Sequence, residues 1–211
     1  MEKHRHFIIH KPFGYLSQFV YNKTTRKNRK LLGELHDFPK KTMAIGRLDK
    51  NSEGLLLLTT DGKVSEQVRS KKVEKEYYIQ VDGEITDEAI ELLKNGVEIG
   101  FKGIKYMTLP CKASRLEPIP IFEIPAKKIR EERHGPTSWA SVTVKEGKFR
   151  QVRKMSAAVG FPTLRLVRVR IGHIWLNDLA AGGVIEAEDF GFKKIDLVGI
   201  KPTAIEPKKA Q

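Results

Sequence analysis

The residues Gly46-Arg47-Leu48-Asp49-Lys50-Asn51-Ser52-Glu53-Gly54 set one carboxylate, Asp49, between two cations and directly ahead of the apolar run Leu55-Leu56-Leu57-Leu58. A polar cluster against a core element is costly unless its groups are paired, so this stretch reads as a site. Flanking cations favour the ionised carboxylate, and a positioned carboxylate can act as a nucleophile or a base. An ion pair that closes a turn is the competing local reading. A second element is Lys75-Glu76-Tyr77. Tyr77 is either a packed core aromatic or, over a cleft, a ring that stacks on a flat ligand while its hydroxyl handles a proton. The third is Glu146-Gly147-Lys148-Phe149-Arg150-Gln151-Val152-Arg153-Lys154-Met155. Its cations Lys148, Arg150, Arg153 and Lys154 crowd the start of a helix, where the dipole disfavours positive charge. Unless they form a solvated face, they call for an anion there, a phosphate or Asp49 itself.

These residues need a scaffold, and periodicity outlines one. Short strands are expected at 7–9, 43–45 and 55–59, the last with the continuous apolar character of a buried strand. Residues 10–14 form a turn, and Asp61-Gly62 leads into a helix through Val64 and Val68. Tyr77, Ile79 and Val81 alternate with polar neighbours as in a half-buried strand. Thr86-Asp87-Glu88 opens a helix that Asn95-Gly96 closes. Further on, a strand is expected at 139–144, a helix at 149–159 and a strand at 164–171. The apolar phase of that last strand slips between Leu166 and Val167, which suggests a β-bulge there. Irregular alternation of strands and helices indicates an α+β fold with a mixed, largely antiparallel central sheet flanked by helices. One catalytic unit over 1–195 is expected, with lobes at about 1–110 and 137–195, a cleft between them, and a charged, Pro-containing loop over 112–136. A polar, disordered tail follows at 196–211.

The charge points to a partner. Thirty-nine Lys+Arg against 26 Asp+Glu give +13, an excess that favours a polyanion through phosphate contacts and counterion release. Arg26, Lys27 and Arg29, in a basic stretch nearly free of apolar residues, are candidate phosphate contacts, as is Lys11. The lone cysteine, Cys111, excludes an internal disulfide and reads as an inert apolar residue in a cytoplasmic protein. No apolar run reaches the ~18 residues of a membrane span, and no signal peptide is recognisable. Zinc-deaminase, Walker and dinucleotide fingerprints are missing. A glycoside hydrolase would need a second carboxylate, for which Glu53 and Asp61 are the nominees.

Taken together and in order, four blocks resemble the Rsu/Rlu family of RNA pseudouridine synthases. They are His10-Lys11-Pro12…Gly14…Ser17-Gln18, the Gly46–Gly62 stretch with Asp49, Lys75-Glu76-Tyr77, and Gly147–Met155 with Leu164-Arg165-Leu166-Val167-Arg168. Two departures stand out: Thr60 where Asn is more usual, and Lys148-Phe149 where an Arg-Asn pair is common. The resemblance implies the pseudouridine synthase fold without the small S4 RNA-binding domain that many relatives carry at the start. It also implies conversion of a uridine in large-subunit (23S) rRNA to pseudouridine by a monomer, with no cofactor and no metal. Asp49 then matches the essential aspartate, Tyr77 the tyrosine that stacks on the base, and Arg153 the basic residue paired with the aspartate. Arg47 matches an arginine near the flipped nucleotide, with Lys75, Lys148, Arg150 and Lys154 as further RNA contacts. A base cannot be re-bonded at C5 inside a stack, so it must be extruded. The alternatives are a non-catalytic RNA-binding or ribosome-assembly factor on the same scaffold, and a synthase acting on another RNA.

Overall fold

In the computed structural model, residues 3–20, 29–69, 73–101, 103–123 and 134–192 are described. Arg26, Lys27, residues 124–133 of the 112–136 loop and the 196–211 tail therefore lie outside the described residues.

One sheet organises the molecule. Its strands, in chain order, are β1 (His6–Lys11), β2 (Met43–Ala44), β3 (Glu53–Thr59), β4 (Lys75–Asp82), β7 (Lys112–Arg115), β8 (Thr137–Val144), β9 (Thr163–Ile171), β10 (Ile174–Trp175) and β11 (Val184–Ala187). The main path runs β11-β1-β3-β9-β4-β8-β7, with β2 on β3 and β10 on β9. Among the ladders of the described residues, only β3–β9 is parallel and the others are antiparallel, so the fold is α+β with a mixed sheet. The separate hairpin β5 (Glu98–Phe101) and β6 (Ile104–Met107) packs beside it.

Every residue of β3 is buried, because its leucines face two cores at once. Leu55 and Leu57 join Ile45, Val68, Val167 and Val169, while Leu56 and Leu58 join Phe7, Ile9 and Leu32 on the opposite face. Such two-sided burial explains the unbroken apolar run. A third cluster lies between β4, β8 and the two helices α2 (Asp87–Asn95) and α3 (Gln151–Ala158). Thr86 caps α2 by accepting from the Ala89 amide at 3.2 Å. The helix α1 (Gly62–Arg69) starts at Asp61, whose side chain accepts from the Lys63 amide at 2.8 Å.

Four expectations change. The two chain segments 1–110 and 137–195 interleave, because β9 from the second sits between β3 and β4 from the first. Residues 112–115 form a strand on β8 rather than a loop. The phase slip at Leu166/Val167 is not a bulge: these residues pair regularly with Ile79 and Tyr78, and both are buried because β9 is covered on both faces. The irregularities fall on either side, between Glu76/Tyr77 and between Gln80/Val81. The helix expected at 149–159 is shorter, because Arg150 adopts a left-handed conformation (φ 53°, ψ 33°) as its N-cap.

Candidate active site

A transverse row of the sheet assembles the chemistry. Lys11 on β1 is opposite Gly54 on β3, Gly54 is opposite Arg168 on β9, and Arg168 is opposite Tyr77 on β4. Strand spacing puts Tyr77 two strands from Gly54, roughly 10 Å. Asp49 stands on the loop that runs into Gly54. At that glycine φ is +104°, and a Cβ there would lie 2.3 Å from the Arg168 carbonyl oxygen. Only glycine permits the approach of β3 to β9 at this point.

The Asp49 loop is clamped from several sides. The Ser17 hydroxyl donates to the Leu48 carbonyl at 2.8 Å and accepts from the Leu48 amide at 2.9 Å. The Gly14 amide donates to the Lys50 carbonyl at 2.8 Å, and the Ser52 amide donates back to the Asp49 carbonyl at 3.1 Å. Arg153, reaching from α3, donates to the Asn51 carbonyl at 2.7 Å, the Ser52 hydroxyl at 3.3 Å and the Thr163 carbonyl at 3.1 Å. Burial and the neighbouring Arg150 lower the Arg153 pKa, against the opposing pull of Asp49 and Glu53.

The direct partner of the Asp49 carboxylate is Arg150, Nη1 to Oδ2 at 3.3 Å. The expectation for Arg153 therefore shifts: it lies within the field of Asp49 and fastens the loop, while the ion pair falls on Arg150. The reason is the left-handed N-cap, which swings Arg150 out of the helix line toward Asp49. Asp49 keeps 26% of its side-chain surface exposed and Arg150 40%, so a ligand can reach both.

Tyr77 is half-buried against the core cluster of β4 and β8, with the Arg168 guanidinium carbon 6.0 Å from its ring centroid. Arg168 is buried; its Nε donates to the Leu55 carbonyl at 2.8 Å, while its Nη2 has no hydrogen-bond partner. Lys75 is half-buried, and burial together with Arg168 lowers its pKa to about 8.

Lys11, a candidate phosphate contact by sequence, is instead enclosed by the fold. It is 0% exposed, and its ammonium donates to the Pro12 and Tyr15 carbonyls at 2.8 Å each. It ties down the turn whose Gly14 amide grips the Asp49 loop. Burial, partly offset by Glu53 and Asp49, lowers its pKa to about 7. Arg47 is exposed beside a depression lined by Ser17, Phe19, Met43 and Gly46. Lys148 lies 4.6 Å from the Tyr106 ring centroid and 5.1 Å from that of Phe101. Lys154 donates to the Gly100 carbonyl at 2.6 Å. Arg29 is half-buried.

The nominated second carboxylates are already engaged. Glu53 forms a buried two-pronged pair with Arg165 at 3.1 and 3.0 Å, and Asp61 caps α1. Neither is placed as a free acid, which disfavours a two-carboxylate hydrolase. Sequence reading placed Glu146 at the head of the third element but gave it no role. This buried carboxylate accepts from the Tyr106 hydroxyl at 2.6 Å, the Leu109 backbone amide at 2.9 Å and the Gln151 side-chain Nε2 at 2.7 Å, and so builds the turn before α3. A lone acid two residues before a basic helix start was the available signal. Among the described residues, no cluster of three or more His, Cys, Asp or Glu could hold a metal, and no helix is long and apolar enough to cross a membrane.

The chain is similar to known proteins over most of its length. The family model for RNA pseudouridylate synthase matches residues 5–158. The chain is 39% identical over 184 residues to ribosomal large subunit pseudouridine synthase E of Vibrio parahaemolyticus, covering 86% of this chain and 73% of that protein. It is also 39% identical over 177 residues to the protein of the same name from Xanthomonas campestris pv. campestris, covering 83% and 91%. Among solved structures, a pseudouridylate synthase superposes with a TM-score of 0.69 at 24% identity, over 89% of this chain and 71% of that one; this likeness shows the fold. With a family match over most of the chain and relatives at this identity, the chain belongs to the RNA pseudouridylate synthase family and is an isomerase.

Proposed function

We propose that the protein converts a specific uridine of large-subunit rRNA to pseudouridine, with Asp49, Tyr77 and the Arg150–Arg153 pair as its working groups. The names of its relatives in Vibrio and Xanthomonas point to that RNA, and the charge of +13 suits a phosphate-rich partner. In this reading the protein acts as a cytoplasmic monomer. The observation that carries it is the partly exposed Asp49 carboxylate, on a clamped loop and met by a guanidinium at 3.3 Å.

The reaction breaks the C1′–N1 bond, turns the uracil in place, and forms a C1′–C5 bond. The C5 proton leaves and N1 gains one, so the formula is unchanged. Asp49, paired with Arg150, either attacks C1′ or removes a sugar proton toward a glycal. Either role requires a fixed carboxylate, which the bonds from Ser17, Gly14 and Arg153 to its loop supply. Tyr77 offers a ring face to the detached uracil and a hydroxyl for the C5 proton. Arg47, Lys75, Lys148 and Lys154 are the proposed RNA contacts around the site, and the basic stretch with Arg26, Lys27 and Arg29 supplies further phosphate contacts by its composition.

Asp49→Asn is the test. Large-subunit rRNA transcript incubated with the variant should gain no pseudouridine while binding close to the wild-type level. A variant that still forms pseudouridine at the wild-type rate would refute the assignment. A wild-type protein that forms none in this RNA would refute the choice of substrate.

A further inference from the structure

Phe149 is an anomaly in the turn that carries Arg150. Its ring is 67% exposed, although the adjoining helix α3 has a buried face to offer, occupied by Val152 and Met155. The chain around it sends each neighbour in a different direction. Lys148 lies over the Tyr106 and Phe101 rings of the β5–β6 hairpin. Arg150, one Cα step of 3.8 Å away, binds Asp49. Phe149 is left projecting between them, with the Lys154 ammonium 5.6 Å from its ring centroid. The bond from Lys154 to the Gly100 carbonyl fixes the hairpin against α3, so the rings and cations form one surface.

We propose that Phe149 is a stacking platform for the base next to the everted uridine, and that Lys148, Lys154 and the β5–β6 hairpin carry the RNA strand onward from it. This rests on the RNA reading of the Asp49 site. An aromatic face set among cations is the chemistry that binds unstacked nucleotides. Extruding one uridine leaves its neighbour without a stacking partner on one side, and a ring one residue from the group that holds Asp49 is placed to replace it. A protein partner would find cations on both sides of the ring, which suits a polyanion better.

The test compares Phe149→Ala and Phe149→Trp with the wild type. The ring is exposed, so both variants should melt at the wild-type temperature. Two RNAs serve as probes: unmodified large-subunit rRNA transcript, and a short single-stranded RNA with 2-aminopurine beside its one uridine. Loss of one base–aromatic stack should weaken binding about 5- to 150-fold. The Ala variant should raise KM far more than it lowers kcat, and should lose the quenching of 2-aminopurine fluorescence. The Trp variant should restore both. An Ala variant that binds and quenches like the wild type refutes the platform, even if the wild type forms pseudouridine normally. An effect seen only with protein-containing ribosomal particles also refutes it and points to a protein contact. If the wild type forms no pseudouridine but quenching still depends on Phe149, the platform stands and the substrate reading falls.

Discussion

Replacing Lys11 with methionine should alter how stability depends on pH. Lys11 is buried without a carboxylate in contact; its ammonium is held by two carbonyls. Its pKa is lowered from 10.5 to about 7 in the folded protein. Between those values the unfolded chain binds a proton that the folded chain has shed, so stability rises with pH across the window. The penalty for burying the ammonium is fully present below about pH 7 and fades toward pH 10.5. A shift of this size corresponds to a relative gain of about 3.5 kcal/mol between pH 7 and pH 10. Methionine fills similar space and does not titrate, but leaves the Pro12 and Tyr15 carbonyls without the ammonium. Each orphaned carbonyl costs about 1–3 kcal/mol, comparable to the relieved burial penalty, so stability at one pH does not discriminate. The slope does. Urea unfolding of both proteins at pH 7, 8, 9 and 10 should show the wild type gaining on Lys11→Met by about 3.5 kcal/mol over the range. Other groups titrate alike in both proteins and cancel in the difference. Parallel curves would refute the account, and would mean that water reaches the ammonium.

The two arginines of α3 should separate by assay. Arg150→Ala removes a partly exposed ion pair, so stability should change by less than about 1 kcal/mol, while pseudouridine formation drops at least tenfold in single-turnover measurements. Arg153→Ala cuts three bonds to the backbone and hydroxyl groups around the Asp49 loop; it should cost about 2–4 kcal/mol in urea unfolding as well as turnover. Equal stability for the two variants would contradict their distinct contacts. Gly54→Ala forces a Cβ to within 2.3 Å of the Arg168 carbonyl oxygen at φ +104°. It should destabilise by at least about 3 kcal/mol or prevent folding, and a midpoint unchanged from wild type would show that the β3–β9 contact yields easily.

The chain itself announced much of this. The leucine run of β3 could only be a strand covered on both faces, and the Thr86 cap and Gly96 stop framed α2, because these signals are local and depend on a few adjacent residues. Asp49, Tyr77 and the basic start of α3 were also visible as residue types out of keeping with their neighbours. What the sequence alone could not supply was the partner of each charge. Lys11 reads as a surface cation in a basic turn, yet the fold closes over it, since its burial depends on strands from both halves of the chain. Arg150 and Arg153 are equivalent in a helical pattern, and a single left-handed backbone step at the N-cap decides which one meets Asp49. The insertion of β9 between β3 and β4 creates the row from Lys11 through Gly54 and Arg168 to Tyr77. Pairings across more than a hundred residues are set by the packing of the whole sheet, so only the tertiary structure could place these groups on one surface.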